Sequence, residues 1–135
     1  MADLTITPAS VIAGADAVKN GGIAGETILA GQAVYLKAAD SRLWLALATT
    51  AAAATAVGIA LHAALAGQPL VYIEGGSLVI GATTSKATTY MVSAAAGGIC
   101  PQADLVSTNK ISYLGYATDT TGTFVLHKKL TGAAV

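Results

Sequence analysis

Short apolar segments alternate along this chain with turns rich in glycine and polar residues, and residues 57–61 and 69–73 show the pattern best. Each segment is about five residues long and rich in β-branched or aromatic residues, which is typical of a strand rather than a helix. The loop between them contains Gly67, a residue type favoured in turns. The pattern therefore predicts two strands joined by a turn.

Applied to the whole chain, this reasoning predicts an all-β fold, a small barrel or sandwich, with at most one short helix near residues 51–56. The alanines in that helical segment are too few for an independent helix. Residues 70–73 and 78–80 are expected to form a hairpin across a turn at 74–77. Further strands are predicted at residues 33–37, 43–47, 88–92, 99–102, 111–117 and 123–128, and residues 131–135 are expected to fray.

Residues 1–25 are interpreted as an N-terminal arm or edge strand, and residues 26–135 as a single β domain. The first residues alternate in part, with Leu4 and Ile6 on one side, and Pro8 is expected to end this short strand. One interpretation is an ordinary edge strand of the domain. The other is an arm that pairs with a neighbouring protein by strand addition.

The later part of the chain resembles the earlier part, which suggests two similar β units of roughly 55 residues. The matched residues, at offsets of 54 to 57 positions, are Tyr35 with Tyr90, Leu43 with Ile99, Gly58 with Gly115 and Val71 with Val125. Two units are too few for a solenoid, so one compact fold with pseudo-twofold character is the economical outcome. Chance matching within a sequence rich in alanine, glycine and threonine is the alternative.

The composition indicates a thin core and a surface that is partly covered by another protein. Apolar residues make up 54% of the chain, but many are alanine, and aromatic residues are only 5%. Charged residues are 10%, against about 25% in a typical domain. Seven basic residues balance seven acidic ones, and Lys128-Lys129 is the only adjacent basic pair. Nucleic acid is therefore not expected as a partner, because phosphate binding needs clustered Lys and Arg.

Residues 43–67 contain no Asp, Glu, Lys or Arg and are long enough to cross a bilayer. The segment is nevertheless mostly alanine, threonine and glycine, it contains His62, and no basic cluster flanks it. We therefore do not expect a membrane-spanning segment. The single cysteine, Cys100, excludes an internal disulfide and favours a protein that folds in a reducing cytosol. A secreted protein without disulfides is the alternative.

No set of residues with catalytic or metal-binding spacing stands out. His62 and His127 lack a nearby Cys, Asp or Glu at ligand spacing, and Cys100 has no evident base. Gly75-Gly76 lacks the lysine and helix of a phosphate loop. The carboxylates are scattered over turns, at Asp3, Asp16, Glu26, Asp40, Glu74, Asp104 and Asp119. We therefore expect no enzyme, no cofactor and no metal site.

Trp44 is the only tryptophan, and it is expected to anchor either the core or a partner interface. A carbohydrate-binding module is a less favoured possibility. In that case Trp44 would stack on sugar rings together with Tyr72, Tyr113 and Tyr116.

Four successive segments, AGQAVYLKAADSRLWLA, AAAATAVGIAL, GQPLVYIEGGSLVIGAT and ATTYMVSAAAGGICP, resemble small virion proteins of tailed bacteriophages. That family comprises the head decoration or capsid cement proteins, and the resemblance covers roughly residues 22–130. It implies a β-rich protein, often a homotrimer, that is made in the bacterial host cytoplasm and attaches to the capsid exterior. The implied partner is the major capsid protein, which such proteins bridge between neighbouring subunits to brace the shell.

The resemblance also implies a role for the N-terminal arm, since such arms commonly add a strand to a capsid loop. Leu4 and Ile6 would suit that role, and Trp44 is the third candidate for contact with a partner. The alternative within the same class is another virion component, such as a tail or head-fibre base subunit.

Overall fold

The computed structural model describes residues 4, 6–84, 88–101, 110–120 and 122–134, with the backbone alone described for 51–52, 110–112 and 127–134. A 3-10 helix spans Pro8–Ser10 and a four-residue helix, α1, spans Ala51–Ala54. The strands are β1 (Ile12–Ala13), β2 (Val18–Ile23), β3 (Ala33–Lys37), β4 (Arg42–Leu45), β5 (Ala56–Ala60), β6 (Pro69–Val79), β7 (Thr89–Val92), β8 (Ile99–Pro101), β9 (Lys110–Ala117) and β10 (Thr123–Ala134). The prediction of an all-β fold with at most one short helix near residues 51–56 is confirmed.

The ten strands form one strongly curled antiparallel sheet, in the order β4-β3-β5-β6-β10-β9-β7-β8. Strands β1 and β2 pair with β6 outside this order. The 11-residue β6 is therefore the central element, since it pairs with β5 at Tyr72 and Ile73 and with β10 from Gly76 to Val79.

The two halves of the sheet have the same strand arrangement when each is followed from its edge to the centre, which confirms the predicted duplication. The path β4-β3-β5-β6 repeats as β8-β7-β9-β10, and the two units meet where β6 pairs with β10. The register agrees too, because Val34 pairs with Gly58 as Tyr90 pairs with Gly115, and a bulge follows at both places. Tyr90 therefore corresponds to Val34, so the predicted match with Tyr35 was wrong by one residue.

The two matched glycines show why the repeat is visible in the sequence. A Cβ atom built on Gly58 would overlap the carbonyl oxygen of Ile73, and one built on Gly115 would overlap that of Val125. In both units the neighbouring aromatic ring, Tyr72 or Phe124, also lies within 2.9 Å of that Cβ position. A glycine is needed wherever two strands cross this closely. Ile73 therefore corresponds to Val125, and the predicted match of Val71 with Val125 was wrong by two residues.

The hairpin predicted across residues 74–77 is wrong, because β6 runs through this segment without turning. Gly75 pairs with Val18, and a register shift before the next pair, Lys19 with Ile73, leaves Glu74 as a bulge. Gly76 has a φ of +84° and lies against the backbone of Asp16. The glycine pair thus allows a bulge inside one long strand. In the sequence, such a pair looks the same as a glycine pair in a turn.

Both chain ends also differ from the prediction. The strand expected in the first residues falls partly on residues 1–3 and 5, which lie outside the described residues. Leu4, Ile6 and Thr7 are described and belong to no strand, and the 3-10 helix follows them, with Pro8 supplying a fixed φ at its first position. At the other end, β10 continues to Ala134, so the fraying expected from residue 131 is not seen. The backbone of this last segment pairs with β9, where Ala134 lies opposite Lys110.

The two edge strands of the sheet, β4 and β8, each accept a backbone hydrogen bond from the N-terminal region of the chain. Gly25 donates its N–H to the carbonyl of Leu43 in β4 at 2.7 Å, next to a parallel bridge between Ala24 and Leu43. At the other end, Leu4 donates its N–H to the carbonyl of Ile99 in β8 at 2.8 Å. Covered edges leave fewer unpaired backbone groups open to chance strand pairing.

The interior divides into two groups of buried side chains. The larger lies among β3, β5, β6, β7, β8, β9 and β10 and includes Tyr90 and Phe124, whose ring centroids are 5.9 Å apart. The smaller group belongs to the first unit and consists of Ala24, Ile28, Val34, Leu43, Ala60, Ala64, Leu70 and Tyr72. Alanines take part in both groups, which agrees with the thin core expected from the composition.

Candidate interaction surface

Two identical tetrapeptides, Leu-Ala-Gly-Gln, form matching turns at residues 29–32 and 65–68. The glycines at their third positions, Gly31 and Gly67, have φ values of +88° and +85°. A positive φ at this position is the signature of a type II turn. In each turn the glutamine side-chain oxygen accepts the N–H of the leading leucine at 2.8 Å. The same four residues therefore build the same local structure twice.

The two turns lie side by side because the residues before them pair. Ile28 donates its N–H to the carbonyl of Ala64, and Ala64 donates its own to the carbonyl of Ile28, both at 2.9 Å. Both residues are buried in the core of the first unit. This reciprocal bridge fixes the spacing and orientation of the turns that follow it.

The arrangement leaves two leucines exposed next to each other. Leu29 is 46% exposed and Leu65 is 59% exposed, although both belong to turns held by hydrogen bonds. Between them lies a shallow depression of about 140 Å³. It is lined by Thr27, Ile28, Leu29, Ala63, Ala64, Leu65 and Gln68, with no charged residue among them. We call this the Leu29/Leu65 surface.

A second depression, of about 260 Å³, adjoins this surface through Leu29. Leu4, Ile6 and Pro8 form one of its walls, and the Gly97-Gly98 segment forms part of another. Leu4 and Ile6 are each half-buried against the larger core. The structure therefore brings two of the three predicted contact residues next to the Leu29/Leu65 surface.

Trp44, the third predicted contact residue, lies elsewhere and lines neither depression. Its indole N–H donates to the two carboxylate oxygens of Asp40 at 3.1 and 3.3 Å. The ammonium of Lys37 lies 4.4 Å from the ring centroid, a cation–π contact. Its ring edge lies against Gly25, where an added Cβ would overlap it. Trp44 is thus a half-buried residue that joins β3, β4 and the segment after β2.

Of the three tyrosines proposed for sugar stacking with Trp44, only Tyr116 is exposed. Tyr72 is 8% exposed and belongs to the smaller core group, while Tyr113 is half-buried against the larger one. Burial raises the pKa of the Tyr72 hydroxyl, and the carboxylate of Glu74 adds to the effect. Tyr116 is the exposed one of the three, and it lies on β9. The geometry gives no support to a carbohydrate-binding face.

In the described part of the chain, no group of three or more His, Cys, Asp or Glu side chains is placed to hold a metal ion. Cys100 is 1% exposed, within the larger core. No helix in the same residues has the length and apolar character needed to span a membrane.

Comparisons with protein-family models, with curated proteins and with solved structures found no match to this chain. Sequence reasoning missed Leu29 and Leu65, although a signal was present. The tetrapeptide recurs 36 positions later, and the recurrence of four identical residues before a strand marks a repeated turn.

Proposed function

We propose that this chain is a structural virion protein that binds the outside of a tailed-phage capsid and stabilises the shell. The observation that carries the proposal is the Leu29/Leu65 surface, an uncharged apolar patch presented by two rigid turns. A backbone that is ordered before binding loses little conformational entropy on contact, which suits a docking surface. The sequence resemblance to capsid cement proteins supplies the class of partner, the major capsid protein.

The proposed mechanism is mass action and needs no catalytic group, cofactor, nucleic acid or membrane. A protein that binds only the assembled shell shifts stability towards that state. Many copies, each held by a modest interface, add their contributions through multivalency. Self-association, with a trimer favoured, would place several Leu29/Leu65 surfaces against the shell at once.

The N-terminal arm contributes to the same face in this proposal. Leu4 and Ile6 adjoin the second depression, next to Leu29. The N–H of Leu4 is already bonded to Ile99 of its own chain. The arm therefore contacts the partner with its apolar side chains, while its described backbone stays paired within the domain.

Cosedimentation with expanded, empty tailed-phage shells tests the proposal. The unmodified protein is expected to pellet with a matching shell, and the double variant Leu29→Asp/Leu65→Asp is expected to bind at least about tenfold more weakly, because two apolar contacts are lost and charge is placed at the interface. Leu36→Asp is the matched control, since Leu36 is 53% exposed on β3 and lines neither depression.

Circular dichroism of all three proteins is expected to be the same, because the substituted side chains are exposed. Equal binding of the double variant and the Leu36→Asp control would reject the Leu29/Leu65 surface as the contact. Failure of the unmodified protein to bind any expanded shell would reject the proposed function itself.

A further inference from the structure

His62 begins the loop between β5 and β6, and its imidazole makes two hydrogen bonds to backbone. The N–H of Val71 in β6 donates to Nε2 at 3.1 Å, and Nδ1 lies 2.9 Å from the carbonyl oxygen of Ala63. The carbonyl of Val71 accepts the N–H of Leu61 at 3.0 Å. The imidazole thus takes the place of a backbone carbonyl as the acceptor for Val71, and it makes the last hydrogen bond of the ladder that joins the end of β5 to β6.

These two contacts specify one protonation state of the ring. A backbone N–H can only donate, so Nε2 must offer a lone pair to Val71. A carbonyl oxygen can only accept, so Nδ1 must carry the hydrogen that faces Ala63. The imidazolium carries a hydrogen on both nitrogens and has no acceptor left for Val71.

We propose that His62 is a pH-sensitive clasp, which closes the last hydrogen bond between the start of the loop and β6 when the imidazole is neutral and opens that bond when the imidazole is protonated. Histidine is the side chain whose unperturbed charge change falls between about pH 5 and 8. The rest of the loop, with Leu65 and the second Leu-Ala-Gly-Gln turn, stays held by the bridge between Ile28 and Ala64. The clasp is a property of the fold and stands apart from the proposed function.

A charged side chain in contact with His62 would compete with these two hydrogen bonds for control of the imidazole. The loop itself and β5 carry no other titratable side chain. Within the described residues, no ion pair or hydrogen bond joins His62 to a titratable side chain of an adjoining element. Those side chains are Lys19 on β2, Glu26 after β2, Tyr35 and Lys37 on β3, Tyr72 and Glu74 on β6, and Tyr113 and Tyr116 on β9.

Amide hydrogen exchange of the full-length protein, followed by NMR between about pH 8 and pH 5, tests the clasp. After correction for the intrinsic pH dependence of exchange, the protection of the Val71 amide is expected to fall about fivefold to tenfold as His62 becomes charged, which corresponds to one net hydrogen bond. The Ile80 amide, bonded to the carbonyl of Gly122 at 2.8 Å, is the internal reference and is expected to keep its protection.

Two variants separate the clasp from general acid destabilisation. His62→Ala is expected to leave Val71 poorly protected at both pH values, whereas His127→Asn is expected to behave like the unmodified protein. Imidazole nitrogen shifts of the unmodified protein are expected to show the hydrogen on Nδ1 in the neutral form. A hydrogen on Nε2 in that form would overturn the proposal. So would a fall in Val71 protection between pH 8 and pH 5 that is as large in His62→Ala as in the unmodified protein.

Discussion

At the scale of single residues, side-chain oxygens hold the irregular backbone of this chain in place. Gln32 and Gln68 each accept a backbone N–H within their own turns. Asp16 does so over a longer range, since its carboxylate accepts the N–H of Ser77 at 3.0 Å and also the Ser77 hydroxyl. That contact joins the segment before β2 to the bulged part of β6. An acceptor in each place satisfies backbone donors that an irregular segment would leave unpaired.

The Asp16 contact has a pH dependence whose sign follows from these hydrogen bonds. The Ser77 hydroxyl and then the Ser77 N–H lower the pKa of the Asp16 carboxyl from its ordinary value. Its contribution to stability is therefore present above the unfolded-state pKa of about 3.9 and is lost as the pH falls through the lower, folded-state value.

We expect Asp16→Asn to lower the thermal midpoint at neutral pH and to match the unmodified protein in strong acid. The comparison is made again in a Ser77→Ala background, where the Asp16→Asn difference is expected to shrink at neutral pH because the hydroxyl partner is gone. A difference that stays the same at every pH would contradict the assignment.

At the scale of elements, glycine is required at the positions where two strands approach each other too closely for a Cβ atom. Gly58 on β5 and Gly115 on β9 occupy equivalent places in the two units, each against a carbonyl of the next strand. Such crossings curl the sheet, because a strand with no Cβ at the crossing approaches its neighbour more closely.

We expect Gly58→Ala and Gly115→Ala each to lower the free energy of unfolding by about 1–3 kcal/mol, the usual cost of overpacking. Urea unfolding measures the change. Gly21→Ala is the matched control, because a Cβ there meets only the carbonyl oxygen of Leu70, at 3.7 Å. That control is expected to change stability by no more than about 0.5 kcal/mol. Equal effects at the three positions would contradict the close crossings.

The sequence was informative about strands and less so about how they continue. The prediction for β3 agrees with the structure at both ends, since a short apolar run between two turns defines it locally. The course of β6 was not predictable in the same way, because Gly75-Gly76 has identical local preferences in a turn and in a bulge. Leu29 and Leu65 were missed for a different reason. Their exposure depends on the bridge between Ile28 and Ala64, a contact between residues far apart in the chain.

At the scale of the whole molecule, the two β units share one interior and leave a surface with little charge. Seven basic and seven acidic residues are spread over 135 positions. Exposed apolar side chains occur at Ile12, Val18, Ile23, Leu29, Leu36, Leu65 and Tyr116. A thin, alanine-rich core gains stability when a partner covers apolar surface, which is the thermodynamic basis of the proposed role.

Imaging of the virion proposed to carry this protein tests the central claim most directly, by a difference map between particles with and without the chain. We expect added density over the whole outer surface of the head, at symmetry-related positions, with the Leu29/Leu65 surface turned towards the shell. Density confined to the tail or to the base of a head fibre, or no difference between the two particles, would contradict the account.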